Sequence, residues 1–117
     1  MNFPDDSPVM PAKRDELKAR ITRLGIELGR ISENAIKASG PGGQKVNKTS
    51  SGVQLRYDLG GELIVVKWAR ERQRALNRFL ALRELVDEIE FRISPQTSPR
   101  VKEMARIRKQ KDRRRRR

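Results

Sequence analysis

The residues best suited to chemistry lie in one glycine-rich segment, residues 39–52, with the sequence SGPGGQKVNKTSSG. Its glycines and proline exclude regular secondary structure, so we expect a loop. A simple hairpin loop would explain the glycines, but not the length of the segment or a glutamine followed by two lysines. A phosphate-binding P-loop needs Gly-Lys-Ser/Thr between a strand and a helix, and this segment has none. A linker would need two domains to join, and the chain has the length of one.

The overall composition limits the reactions that this segment could support. The chain has 117 residues with neither cysteine nor histidine, which excludes thiolate nucleophiles, zinc ribbons and histidine-based triads. An enzyme of this composition must use carboxylates, lysines, hydroxyls, amides or the backbone itself, and we expect no metal and no cofactor. No apolar run reaches the roughly 20 residues of a membrane span. The acidic, proline-rich start also differs from a secretory signal, so we expect a soluble intracellular protein.

The net charge of +13 is concentrated near the C-terminus. Residues 100–117 hold 11 of the 28 basic residues but only 2 of the 15 acidic ones, and they end in five arginines. Because like charges repel, we expect this tail to be disordered, or at most a frayed helix, when it is free. Arginine contacts phosphates bidentately and stacks on bases, which favours an RNA-binding arm. A solubilising tail or an anionic-lipid anchor is the alternative interpretation.

Hydrophobic periodicity predicts two helices around the loop. After an irregular leader at residues 1–12, helical spacing begins at Lys13. Gly25 and Gly29 weaken the helix, so the spacing does not fix the residue at which it ends. Its apolar positions are Leu17, Ile21, Leu24, Leu28 and Ile31. A long amphipathic helix follows from about Ala69 and ends at Ser94-Pro95, because the residue before a proline disfavours the helical region. Its apolar positions are Phe79, Leu82, Val86, Ile89 and Ile93, and five arginines (Arg70, Arg72, Arg74, Arg78 and Arg83) decorate its other surfaces.

Between these helices, the pattern changes to that of strands. Val53, Leu55 and Tyr57 alternate with polar residues, which indicates a half-buried strand. Gly60-Gly61 predicts a tight turn, and the β-branched run ELIVVKW at residues 62–68 predicts the returning strand of a hairpin. We therefore predict a small single α+β domain in which a β-hairpin or short sheet packs on helices, with the glycine-rich loop at its edge.

The loop and its surroundings together resemble the catalytic domain of class I peptide chain release factors and of their ribosome-rescue relatives. The resemblance runs from about residue 33 to residue 92 and rests on SGPGGQKVNKTSSGVQL followed by a hairpin in register. After the hairpin, Glu71-Arg72-Gln73-Arg74 with Asn77-Arg78 is similar to the basic start of that family's helix. Gly-Gly-Gln alone is a weak signal, whereas its flanking residues make the match specific.

The resemblance implies hydrolysis of the ester that joins a nascent peptide to the terminal ribose of a P-site tRNA. It implies that Gly42, Gly43 and Gln44 are the catalytic residues. The two glycines would permit positive φ and a close approach to rRNA and the aminoacyl end. The backbone N–H of Gln44 would stabilise charge that develops on the tetrahedral centre or the leaving ribose oxygen. The Gln44 side chain would coordinate the attacking water, and it is also a candidate for N5-methylation by a glutamine methyltransferase.

The partner that the resemblance implies is the ribosome: large-subunit rRNA, the P-site peptidyl-tRNA and, for the tail, the mRNA channel of the small subunit. Around the loop, Lys45, Lys48 and Arg72 are candidates for rRNA contacts, with solvated surface charge as the alternative. In the tail the candidates are Arg100, Lys102, Arg106, Arg108, Lys109, Lys111, Arg113, Arg114, Arg115, Arg116 and Arg117. We expect a monomer that does not bind a membrane.

The predicted organisation is a leader at residues 1–12, a catalytic domain at 13–94, and a linker with the basic tail at 95–117. This leaves no room for a codon-reading domain, so we expect codon-independent peptide release from stalled ribosomes. The alternative is a non-catalytic ribosome- or RNA-binding protein that occupies the large subunit. We expect the protein to be located in the cytoplasm, by default that of a bacterium. A processed mitochondrial protein is the alternative. The sequence leaves open which stalled complex is the substrate.

Overall fold

The computed structural model describes residues 1–37 and 51–115 of the chain. The elements, in chain order, are helix α1 (Pro11–Leu24), strands β1 (Ser32–Ile36), β2 (Gly52–Leu59) and β3 (Glu62–Trp68), and helices α2 (Arg74–Ile93) and α3 (Pro99–Arg115). These elements confirm the α+β class. Two compact units, Met1–Val86 and Asp87–Arg117, divide the chain. None of the helices in the described ranges is long and apolar enough to span a membrane.

Helix α1 is shorter than the hydrophobic spacing predicted. It begins at Pro11, where a missing N–H costs nothing, and it ends where Gly25 adopts φ 71° and ψ 27°. The N–H of Ile26 then donates to the carbonyl of Ile21 across this left-handed residue, at 3.0 Å. The apolar positions beyond Gly25 therefore belong to other structure: Leu28 lies in a short 3-10 turn, and Ile31 is buried just before β1.

The three strands form one antiparallel sheet in the order β1-β2-β3. The predicted hairpin is confirmed, with Leu55 opposite Val66 and Tyr57 opposite Ile64, and all four side chains are buried. Gly60 and Gly61 have φ of 59° and 95°, the positive values that a tight hairpin turn requires. The sequence analysis did not predict β1, because its five residues, SENAI, show no alternation and are ordered by pairing with β2.

Helix α2 contributes six of the buried hydrophobic residues in the described ranges. Phe79, Leu82, Val86 and Ile89 are buried, as their spacing predicted. Ile93 is 47% exposed, contrary to the prediction, because it occupies the last position of the helix. The helix also begins at Arg74 rather than at about Ala69. Residues 69–73 form a separate connector between β3 and α2.

The unit Asp87–Arg117 is held by polar contacts around a turn. The fully buried carboxylate of Glu90 accepts a hydrogen bond of 2.6 Å from the hydroxyl of Thr97. The Ser94 and Thr97 hydroxyls lie 2.7 Å apart. Arg100 pairs with Glu88 at 2.9 Å and lies over the ring of Phe91, 5.4 Å from its centroid. These contacts join the end of α2 to the start of α3.

The basic tail forms helix α3, the helical one of the two forms expected from its sequence. Arginine, lysine and glutamine are good helix formers, and the side chains of Glu103 and Arg106 pair across one turn. Residues 102–114 are all exposed. Two apolar side chains, Met104 and Ile107, are exposed on it.

Candidate functional site

The site that the structure describes is the base of the glycine-rich loop. The last pair between β1 and β2 joins Ile36 to Gly52, so the chain between them leaves and returns at one end of the sheet. The predicted residues Gly42, Gly43, Gln44, Lys45 and Lys48 fall outside the described residues, and their roles stay predictions. We use the name loop neck for the residues that surround this end of the sheet: Ile36, Ser51, Gly52, Ala69 and Asn77.

Gly52 lies where three segments of the loop neck meet. A Cβ at this position would lie 2.8 Å from both the Cγ1 and the carbonyl oxygen of Ile36. It would also lie 2.9 Å from the Cβ of Ala69, the first residue after β3. Real Cβ atoms do not approach other atoms so closely without displacing them. Glycine is therefore required here for close packing between strands.

Asn77 joins α2 to Ser51 and to the connector before α2 through a completely buried side chain. Its Nδ2 donates to the carbonyl of Ser51 at 2.7 Å and to the carbonyl of Glu71 at 2.9 Å. Its Oδ1 accepts from the backbone N–H of Glu71 at 3.0 Å. A buried amide is stable only with such partners. One side chain thus fixes the backbone directly after the loop and the connector before α2.

An ion pair attaches α2 to the strand that leads into the loop. The Arg78 Nε lies 2.7 Å from one carboxylate oxygen of Glu33 on β1, and its Nη2 lies 3.2 Å from the other. The two side chains are only 20% and 16% exposed. The sequence predicts a surface position for Arg78, but the side chain is largely buried, because β1 places the carboxylate of Glu33 opposite it.

A basic cleft opens beside the loop neck, with a volume of about 570 Å³. It is lined by Pro8, Arg70, Glu71, Arg72, Gln73 and Leu76. The guanidinium of Arg70 lies over the ring of Trp68, 4.7 Å from its centroid. Arg72, the predicted RNA contact, is exposed here. Two arginines against one glutamate leave this surface with a net positive charge, which a phosphate backbone attracts.

Some of the predicted tail residues form ion pairs within the chain, and others are exposed on α3. Arg100 is paired with Glu88, and Arg106 with Glu103. The hydrogen bond from Arg106 lowers the pKa of the Glu103 carboxyl, and the same bond raises the pKa of Arg106. Lys102, Arg108, Lys109, Lys111, Arg113 and Arg114 are exposed along α3. The Arg115 side chain, Arg116 and Arg117 lie outside the described residues.

Sequence reasoning did not assign a role to Asn77 or Gly52. Gly52 was one of several glycines in a loop, and its need for close packing depends on β1, which was not predicted. Asn77 carried a usable signal. It stands four and eight residues before Ala81 and Leu85, which are both fully buried. An asparagine on a buried helical stripe indicates a satisfied structural amide.

The fold and the site together define a small α+β domain in which the glycine-rich segment joins two strands at one end of a three-stranded sheet. A model of the RF-1 domain family matches residues 19–117 of this chain. The chain belongs to this family, which confirms the resemblance to the catalytic domain of class I release factors.

Three curated relatives show similarity over most of the chain. The human mitochondrial translation release factor in rescue is 33% identical over 105 residues, which cover 90% of this chain and 60% of that protein. Its mouse counterpart is 33% identical over 94 residues, covering 80% and 50%. A mitochondrial release factor-like protein of Saccharomyces cerevisiae, described as uncharacterized, is 39% identical over 82 residues, covering 70% and 46%.

The chain thus spans about half to three fifths of the length of these relatives. All three are described as mitochondrial proteins. The bacterial cytoplasm expected from the sequence stays a prediction.

Proposed function

We propose that this protein is a ribosome-dependent peptidyl-tRNA hydrolase that releases nascent peptides from stalled ribosomes without reading a stop codon. The observation that carries the proposal is the loop neck: Gly52 and Asn77 fix the base of a segment that contains Gly42-Gly43-Gln44, within a chain of the RF-1 domain family. The human and mouse relatives described as release factors in rescue support the same role.

The proposed chemistry uses water and a backbone donor. Water attacks the ester carbonyl carbon, and the bond from that carbon to the ribose oxygen then breaks. One proton from the water passes to the ribose oxygen, and the carboxylic acid that forms loses the other to solvent, so the products are a free peptide carboxylate and deacylated tRNA. The N–H of Gln44 stabilises the negative charge that develops on the way, and a positioned donor of this kind contributes about 10²–10³-fold in rate. This chemistry requires neither imidazole nor a metal, in agreement with a chain that lacks histidine and cysteine.

Two basic surfaces serve ribosome binding in this proposal. The cleft that contains Arg70 and Arg72 lies beside the loop neck and suits rRNA phosphates near the reacting ester. Helix α3 presents an exposed series of basic side chains and suits a second stretch of RNA, in the mRNA channel or elsewhere. Arginine favours this use because its planar guanidinium binds phosphate bidentately.

The test is peptide release from ribosomes stalled on a truncated message and carrying a labelled peptidyl-tRNA. Purified protein should release the peptide, and Gly43→Ala should abolish release while leaving ribosome binding, measured by co-sedimentation, nearly intact. A Cβ at this position prevents the close approach on which the chemistry depends.

Two results would contradict the proposal. The first is binding by the natural protein without any release above the Gly43→Ala background, which would indicate a non-catalytic ribosome-binding protein. The second is a parallel loss of binding and release in Gly43→Ala, which would make the loop a docking element.

A further inference from the structure

We infer that Asn77 and Gly52 are positioning residues for peptide release, which fix the two chain ends from which the glycine-rich loop extends. The inference rests on the proposed function and adds to it the residues that hold the two ends of the glycine-rich segment. Neither residue lies in the Gly42-Gly43-Gln44 motif. Both act through the backbone at residues 36, 51 and 52.

The C-terminal end of the loop is held by Asn77. Ser51 is the first residue described after residues 38–50, and its carbonyl accepts the 2.7 Å bond from Asn77 Nδ2. The other two bonds of the same amide hold the Glu71 backbone. Asn77 itself sits in the first turns of α2, so its position is set by a packed helix. The loop end is therefore tied to the helix rather than to the sheet alone.

The N-terminal end of the loop is held by close packing at Gly52. The pairing of Ile36 with Gly52 closes β1 against β2, and the absence of a Cβ lets Ala69 approach from the third segment. The ion pair between Glu33 and Arg78 ties the same strand, β1, to α2. Both chain ends that flank residues 38–50 are thus attached to helix α2.

The choice of asparagine argues for positioning rather than for stability alone. Leu82 and Leu85 fill fully buried positions further along the same helix. A leucine at position 77 would bury more apolar surface, but it could not hold the carbonyls of Ser51 and Glu71. A reaction that depends on one backbone N–H needs that accuracy, because a displacement of about 1 Å reduces such rates about 100-fold.

The experiment measures peptide release from message-truncated ribosomes as a function of protein concentration. The variants are Asn77→Ala, which removes all three hydrogen bonds, and Gly52→Ala, which disturbs the loop neck without touching Asn77. Leu17→Ala is the control, since Leu17 is buried in α1 and is not part of the loop neck. Thermal midpoints are measured for each protein, and release is assayed well below the lowest of them.

We expect both loop-neck variants to lower the release rate at saturating protein by about 10- to 100-fold, with the half-saturating concentration changed less than about threefold. Leu17→Ala should lower the thermal midpoint comparably and leave the saturating rate within about twofold of the natural protein. If Asn77→Ala fails to fold, Gly52→Ala supplies the same measurement from the other side of the loop neck.

The inference is overturned if the loop-neck variants and Leu17→Ala show the same saturating rate, or if the loop-neck variants change only the half-saturating concentration. In both cases the natural protein still releases peptide, so the proposed function stands. If the natural protein releases no peptide, the proposed function and this inference fail together.

Discussion

The side chains of Glu33 and Arg78 should be coupled more strongly than those of an ordinary surface ion pair. Two N–H groups of Arg78 meet the two carboxylate oxygens at 2.7 and 3.2 Å, and both side chains are largely buried. Exposed pairs contribute about 0.2–1 kcal/mol, and loss of one partner from a fully buried pair costs about 3–5 kcal/mol. The geometry lies between these limits, so we expect a coupling free energy of about 2 kcal/mol.

A double-mutant cycle measures this coupling. Glu33→Gln, Arg78→Met and the double variant are unfolded in urea alongside the natural protein, and the coupling is the difference from additivity. The matched control is the pair of Glu27 and Arg30, 3.8 Å apart with side chains 67% and 68% exposed, where we expect at most about 0.5 kcal/mol. The reasoning is refuted if the Glu33–Arg78 coupling is no larger than that of the control, or if high salt abolishes it.

Two further changes test the loop and the tail. Truncation after Pro99 removes the exposed basic residues of α3, so ribosome binding should weaken. The slope of log affinity against log salt concentration should fall by about one unit per lost phosphate contact. An unchanged slope would show that the tail does not contribute to binding. Gln44→Ala should slow release less than Gly43→Ala does, because the backbone N–H survives the substitution, and an equal loss in a release assay would argue against the backbone as the donor.

The sequence predicted those parts of the fold whose side chains alternate or repeat over a sufficient length. The hairpin followed from the alternation at Val53, Leu55 and Tyr57 and from the paired glycines at the turn. Helix α2 followed from the spacing of Phe79, Leu82 and Val86. In both cases a single buried face fixes the secondary structure, so local pattern and tertiary packing agree.

The remaining features depend on contacts between distant residues. Strand β1 has no pattern of its own and is ordered by its pairing with β2. The burial of Arg78 follows from that pairing, because β1 carries Glu33 to it. The connector before α2 is held by Asn77. Its side chain forms hydrogen bonds with both the N–H and the carbonyl of Glu71, so these groups are paired outside the helix. These interactions join residues that no local window brings together.

The sequence offers the motif of the candidate site, whose catalytic role stays a prediction, but it gives no assignment for the residues of the loop neck. Gly42, Gly43 and Gln44 were recognised from the order of residues alone, since a specific tripeptide and its flanks identify the family. Gly52 and Asn77 could not be assigned in that way. Their roles arise where β1, β2, the connector and α2 meet, and only the folded chain brings these segments together.

The central claim is that a backbone amide of this loop reaches the ester of peptidyl-tRNA. The most direct measurement is a density map of the protein on a stalled ribosome that carries a non-hydrolysable peptidyl-tRNA. The account predicts that the backbone nitrogen of Gln44 lies about 2.7–3.1 Å from an oxygen of the reacting centre. A map in which Gly42-Gly43-Gln44 lies against the sheet, out of reach of the tRNA end while the protein is fully bound, would contradict it.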